Sequence, residues 1–174
     1  MYKKIFINSI IIFALSTLLH SLYNYLPNFF TAIFVPVNES VWEHMKMIFS
    51  AYMLYLLIRI LFVKKNPRNL VSSFVITALC NIVVYLIIYL PLNALIGKEI
   101  MIVTLITYFI SILISNYIMH QLQEKKENKR LNKIMGYVII LVYLIFTLLT
   151  YYPIRIDLFY DKVLNAYGIY KFYG

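Results

Sequence analysis

The sequence predicts an all-α, polytopic membrane protein: a bundle of five transmembrane helices with the N-terminus cytoplasmic and the C-terminus extracytoplasmic. Three observations lead to this fold class. Hydrophobic residues make up 63% of the chain and the mean hydropathy is +0.80, whereas about half of a soluble domain is apolar. Five apolar segments are each long enough to cross about 30 Å of hydrocarbon. Basic residues concentrate in alternate connections, on the side that the positive-inside rule makes cytoplasmic.

The predicted spans are each about 19 to 23 residues long, which suits a helix that crosses a bilayer. They cover 5–25, 41–63, 70–92, 100–122 and 134–152. The first span follows two lysines, as a signal peptide does, but its apolar run is long and no cleavage site of small residues follows. We therefore expect a retained helix. Residues 153–174 form an aromatic tail on the outer side, and residues 1–174 are expected to form a single transmembrane domain.

The net charge of +9 does not indicate a nucleic-acid-binding protein, because the placement of the charges explains it. Eleven of the sixteen Lys and Arg residues fall on the predicted cytoplasmic side: Lys3, Lys4, Arg59, Lys64, Lys65, Arg68, Lys125, Lys126, Lys129, Arg130 and Lys133. The predicted partners are membrane lipids, including anionic headgroups, with a homo-oligomer or a membrane partner protein left open. The composition is rich in Ile, Lys, Asn and Tyr, as in AT-rich bacterial genomes, so the expected location is a bacterial cell membrane.

The segment 36–46, Pro-Val-Asn-Glu-Ser-Val-Trp-Glu-His-Met-Lys, is the most unusual part of the chain. It places two carboxylates, a histidine, a lysine and a tryptophan at the start of the second span. Ionisable groups beside a membrane segment are costly, so they mark candidate functional sites. Glu39 and Glu43 are four residues apart and share a face if both are helical, and Lys46 is then a cation that can pair with one of them.

Helix-start chemistry explains part of this motif. Ser40-x-x-Glu43 has the spacing of a capping box, and Asn38 is itself a suitable N-cap residue. These roles account for the serine and one carboxylate. They leave the second carboxylate, His44 and Lys46 without a structural explanation, which favours a functional role for the motif.

Three further polar side chains are expected on the same outer side. His20 lies on the polar face of the first span, where lipid offers no hydrogen-bond partner, so it is either an interhelical hydrogen-bonding group or part of a site. Asp157 and Asp161 lie in the aromatic tail. The tail either folds back, so that these carboxylates meet His20, His44 or Lys46, or it lies in the interface with both carboxylates facing water.

The motif and its distant companions resemble a known family. The resemblance rests on segment 36–46 together with Leu19-His20-Ser21-Leu22-Tyr23, Leu158-Phe159-Tyr160-Asp161 and Tyr167-Gly168-Ile169. These segments are similar to those of a bacterial family of small integral membrane proteins of unknown function that carry this motif. The resemblance spans nearly the whole chain. It implies a five-helix membrane protein and no activity.

Three functions remain open, and with them the question of whether the protein is an enzyme. The first is a metal-assisted hydrolase or transferase that acts on a lipid-linked substrate at the extracytoplasmic face. The second is a small transporter or binding subunit that recognises a cation or amine. The third is a non-catalytic membrane scaffold, in which the motif only caps the second span and ties it to the tail.

In the enzyme hypothesis, two histidines and a carboxylate bind a divalent metal such as zinc, and a remaining carboxylate is the general base on bound water. The candidate metal ligands are His20, His44 and one carboxylate. Glu39, Glu43, Asp157 and Asp161 are all candidates for this carboxylate and for the general base, and Glu43 is the one placed in the predicted ligand set. The candidate catalytic residues are Glu39, Glu43, His44 and His20. The candidate ligand-binding residues are Asn38, Trp42, Lys46, Asp157 and Asp161.

Overall fold

The computed structural model describes residues 1–97 and 100–169. Within that part the chain forms α1 (Tyr2–Tyr25), α2 (Phe29–Phe34), α3 (Val41–Phe62), α4 (Leu70–Ile96), α5 (Met101–Glu124), α6 (Lys129–Tyr151), a short 3-10 helix (Asp157–Phe159) and two paired antiparallel strands, β1 (Tyr160–Asp161) and β2 (Ala166–Tyr167). Five of these helices, α1 and α3 to α6, are long and apolar enough to cross a membrane. The predicted all-α class and its five candidate spans are therefore confirmed.

Helices α4 and α6 extend beyond the ends predicted for their spans. α4 continues through Pro91 to Ile96 and ends at Gly97, whose φ of 71° is left-handed and costs glycine little. α6 begins at Lys129, five residues before the predicted start of the fifth span at 134. Residues 98–99, which lie between the third and fourth predicted spans, and residues 170–174 of the predicted tail lie outside the described residues.

The helices are buried to different degrees, and α3 occupies the interior of the bundle. α3 packs against α1 and α4, α5 packs against α1 and α4, and α6 packs against α4 and the short α2. In the most apolar part of each helix, 56% of the α3 residues are buried inside the protein but only 11% of the α6 residues. Much of the apolar surface of α6 is therefore left to lipid.

A buried polar network joins the central helices. The Tyr52 hydroxyl donates to Asn116 Oδ1 at 3.2 Å, and Asn116 Nδ2 donates to Ser9 Oγ at 2.8 Å. Asn81 Nδ2 donates to the Tyr52 hydroxyl at 3.4 Å. The network connects α1, α3, α4 and α5, as expected for polar groups that find no partner in lipid.

The two ends of the bundle have different character. One end, called here the motif end, carries residues 26–40 and the tail that follows α6. The other, called here the basic end, carries the connections 63–69 and 125–128. At the motif end the tail folds back onto α3, where Trp42 packs between Phe146 of α6 and Phe159 of the tail, with ring centroids 5.0 and 4.8 Å away. Of the two tail conformations left open by the sequence, residues 153–169 show the folded-back one.

Candidate metal centre

The start of α3 sets the direction of every side chain in the motif. Ser40 is the N-cap, and its Oγ accepts from the Glu43 N–H at 3.4 Å. Asn38 Oδ1 accepts in turn from the Ser40 N–H at 2.9 Å. The predicted capping box is only half formed, because the Glu43 carboxylate accepts from the Val37 N–H at 3.1 Å. The helix begins at Val41, so Glu39 precedes it and, contrary to the prediction, does not share a helical face with Glu43.

Glu43 and Lys46 form a buried ion pair. Their exposed fractions are 1% and 0%, and Lys46 Nζ lies 2.6 Å from Glu43 Oε2. Lys46 also donates to the Ala32 carbonyl at 2.8 Å and to Thr150 Oγ1 at 3.0 Å. Thr150 Oγ1 donates to Glu43 Oε1 at 2.6 Å. These contacts tie α3 to α2 and α6.

This pair is saturated with partners, as buried charges require. The Lys46 ammonium group has three acceptors, which matches its three protons. The Glu43 carboxylate receives hydrogen bonds from Lys46, Thr150 and the Val37 N–H. The structure thus places Glu43, a predicted catalytic residue and metal ligand, and Lys46, a predicted ligand-binding residue, in a structural contact that does not face the histidines.

The sequence did not single out Thr150, which completes this contact from α6. Its side chain is almost fully buried. In the sequence, Thr150 could have been noticed as a hydroxyl residue near the end of an otherwise apolar span, because such a group needs a partner inside the protein. Its partner, however, depends on how α6 packs beside α3.

His20, Glu39 and His44 converge at the motif end. Glu39 Oε2 lies 3.2 Å from His20 Nε2 and 3.5 Å from His44 Nε2, and the two imidazole centroids are 5.5 Å apart. One potential ligand atom of each residue lies within 4.8 Å of the others. The side chains of His20, Glu39 and His44 are 37%, 42% and 21% exposed. The carboxylate that joins the two histidines is therefore Glu39, one of the four candidates, and not Glu43, the one placed in the predicted ligand set.

The backbone orients His44 within this trio. His44 Nδ1 lies 3.0 Å from the Ser40 carbonyl oxygen, which can only accept, so Nδ1 carries a proton. In the neutral ring, Nε2 then holds a lone pair on the side of Glu39. A carbonyl partner on the second nitrogen is the usual way in which proteins orient a metal-binding histidine.

The charge on Glu39 is stabilised by its neighbours. A hydrogen bond from His20 is the main cause that lowers the pKa of Glu39 below its ordinary value of 4.5. The positive charges that His20 and His44 can carry act in the same direction, and partial burial opposes them. Glu39 is consequently an anionic group at neutral pH, as a metal ligand must be.

Asp161 positions Glu39 from the tail. It is fully buried and accepts from three backbone N–H groups, those of Glu39 at 2.9 Å, Val163 at 2.7 Å and Leu164 at 3.0 Å. The prediction that Asp161 meets a histidine or Lys46 is therefore corrected, because its acceptor atoms are taken by backbone donors. Asp161 reaches the site through the main chain of Glu39, whose N–H donates to it.

The remaining predicted ligand-binding residues are placed around the trio. Asn38 Nδ2 donates to the Gly168 carbonyl at 2.8 Å, which ties the motif to the tail. Trp42 is buried among aromatic rings, and its Nε1 has no hydrogen-bond partner among the described residues. Asp157 is exposed, and in residues 1–97 and 100–169 no hydrogen bond or ion pair joins it to His20 or His44.

Comparison with known proteins gives a family but no activity. A family model described as a family of unknown function (DUF6512) matches residues 1–169. No curated protein and no solved structure matches the chain. A proposal for the function therefore depends on the geometry of the site.

Proposed function

The chain belongs to this family of unknown function, and we propose that it binds a divalent metal such as zinc through His20, Glu39 and His44. One observation carries the proposal: His44 Nε2 and Glu39 Oε2 face each other at 3.5 Å, while the proton on His44 is directed at Ser40. Two acceptors in this arrangement repel unless a proton or a metal ion lies between them. Two histidines and one carboxylate are a known catalytic zinc ligand set, in which the fourth position holds water or substrate.

The spacing of the trio supports a small divalent ion. Ligand atoms bonded at about 2.0–2.2 Å to a tetrahedral zinc lie about 3.3 Å from one another. The two nitrogen-to-Glu39 distances, 3.2 and 3.5 Å, are close to this value. One potential ligand atom of each of the three residues lies within 4.8 Å of the other two.

The chemistry that this site supports best is metal-assisted hydrolysis or group transfer on a lipid-linked substrate. A metal held by three protein ligands lowers the pKa of its bound water to about 7 and so provides a nucleophile. Glu43 and Asp161, two of the carboxylates considered as general bases, are occupied by structural partners. The site lies at the end of membrane-length helices, where a substrate can keep its acyl chain in lipid and present its polar group to the metal.

The proposal includes a topology. Lys and Arg residues around the connections 63–69 and 125–128 support a cytoplasmic basic end and an extracytoplasmic motif end in a bacterial cell membrane. Residues 1–174 then act as one transmembrane domain in contact with membrane lipids. A homo-oligomer or a membrane partner protein is compatible with this arrangement.

Zinc binding by the purified protein tests the proposal. We expect one zinc ion per chain by elemental analysis, and His44→Ala should weaken zinc binding by on the order of 100-fold or more in calorimetric titration, because a ligand is lost. His120→Ala is the matched control, since His120 is the remaining histidine and lies at the basic end. A folded wild-type protein that binds no divalent metal, or equal losses in both variants, would contradict the proposal.

Thermal-shift measurements on the same variants separate the other two functions. A transporter or binding subunit should respond to an amine such as choline, with a thermal shift that His44→Ala abolishes and zinc does not produce. A scaffold should respond to neither ligand, and Glu39→Gln should then change only its stability.

Zinc affinity is expected to fall as the pH drops from about 7 to about 5. The lowered pKa of Glu39 keeps its carboxylate charged in this window, whereas a histidine ligand that gains a proton can no longer bind the metal. Titrations at several pH values check this, and an affinity that stays constant from pH 7 to pH 5 would count against histidine ligands.

Without zinc, Glu39 makes a separate contribution to the pH dependence of stability. Because its pKa is lower in the folded protein, the ionised group stabilises the fold above its ordinary pKa of 4.5. That contribution is lost as the pH falls through the lower folded-state pKa. Thermal unfolding below pH 5 should show this loss in the wild type and not in Glu39→Gln.

A further inference from the structure

A second polar site lies at the basic end. A cavity of about 490 Å³ opens between the start of α1, the end of α3 and the end of α5. Its lining includes the cations Lys4, Arg59 and Lys65, together with His120 and a single carboxylate, Glu124. The volume falls in the range of about 300–1,000 Å³ that is typical of ligand sites.

The cations in this cavity are not neutralised by the protein. Among the residues that the structure describes, no carboxylate lies within ion-pair distance of Lys4, Arg59 or Lys65. Glu124 lies instead 4.0 Å from His120. The contrast with the saturated Lys46 at the motif end indicates that this charge is available to an external anion.

Arg59 is held in place by the connection that follows α3. Its Nε donates to Asn66 Oδ1 at 3.3 Å, and Asn66 Nδ2 donates back to the Arg59 carbonyl at 3.1 Å. This contact uses Nε, so the two terminal amino groups of the guanidinium remain as donors within the described structure. A guanidinium whose position is set beforehand loses less entropy when it binds an anion.

Further donors line the same cavity. Asn8 Oδ1 accepts from the Tyr55 hydroxyl at 2.8 Å, which leaves the amide NH₂ of Asn8 as a donor. His120 Nδ1 is buried and has no hydrogen-bond partner among residues 1–97 and 100–169, and the Glu124 carboxylate lies 4.0 Å from it. A buried polar nitrogen without a partner is costly. Where Nδ1 carries a proton, a phosphate oxygen in the cavity can accept from it.

We propose that this cavity binds a phosphate group, carried either by an anionic lipid headgroup or by free phosphate. The Arg59 guanidinium is the main ligand, since its terminal donors match two phosphate oxygens, and Lys4 and Lys65 balance the remaining charge. The cavity lies at the ends of membrane-length helices, and basic residues in such positions attract anionic lipid headgroups. The proposal is independent of the metal centre at the opposite end.

Native mass spectrometry of the full chain, released from nanodiscs of defined lipid content, tests this site. The probes are dioleoylphosphatidylglycerol and the zwitterionic dioleoylphosphatidylcholine. The wild type should retain one phosphatidylglycerol in preference to phosphatidylcholine, and Arg59→Gln should lower the retained fraction about fivefold or more. Lys64→Gln is the matched control, because Lys64 is an adjacent cation that does not line the cavity.

Competition with inorganic phosphate identifies the source of the phosphate group. If inorganic phosphate displaces the lipid, the site accepts free phosphate; if it does not, the headgroup is the ligand, and either result supports the proposal. Equal losses from Arg59→Gln and Lys64→Gln would show diffuse attraction and overturn it, as would equal retention of both lipids by the wild type. Lys65→Gln, at an exposed residue of the lining, replaces Arg59→Gln if that variant does not fold.

Discussion

Glu43→Gln is expected to lower the free energy of unfolding by about 3–5 kcal/mol, the usual cost of removing one partner of a buried ion pair. The substitution keeps the size of the side chain but leaves the Lys46 ammonium group buried with neutral partners only, Ala32, Thr150 and the new amide. Because α2 and α6 both meet α3 here, the loss should appear as a lower global stability. Denaturant unfolding in bicelles measures it.

Glu39→Gln is the matched control for this prediction. Glu39 lies four residues earlier and is partly exposed, so solvent screens its interactions and its loss should cost less than about 1 kcal/mol. The two variants should have opposite effects. Glu39→Gln should lose zinc binding and keep its stability, whereas Glu43→Gln should lose stability while its folded fraction still binds zinc. A stable Glu43→Gln protein would contradict a structural role for the Glu43–Lys46 pair.

Asp161→Ala is expected to release the tail and to weaken the metal centre. It removes the acceptor of three backbone N–H groups, and a backbone N–H that is left buried without a partner costs about 1–3 kcal/mol. Hydrogen exchange should increase in residues 153–169, while α1 to α6 remain protected. Zinc affinity should fall about tenfold, because the main chain of Glu39 loses the contact that positions it.

Asp157→Ala is the control for the tail. Asp157 is an exposed carboxylate four residues earlier, at the start of the 3-10 helix. It should change neither hydrogen exchange nor zinc affinity. If Asp161→Ala leaves the tail protected, or if Asp157→Ala has the same effect, then the Asp161 contacts do not hold the tail against the motif.

The candidate site was predictable in composition but only partly in arrangement. The motif and His20 were identified because ionisable groups are rare beside apolar spans. The partner of each carboxylate in the motif could not be predicted in the same way. Glu39 and Glu43 have helical spacing, yet α3 starts between them, so one carboxylate joins the histidines and the other is buried with Lys46.

The five spans and the residue types gathered at each end follow from the amino-acid sequence alone. The length of each apolar segment and the placement of the charges can be read along the chain, because the membrane constrains both. Which charges are structural and which form a site depends on contacts between segments that are distant in the chain. Thr150 reaches Glu43 across 107 residues, and Asp161 reaches Glu39 across 122. Contacts of this kind depend on how helices and tail pack, and periodicity along one helix carries no information about them.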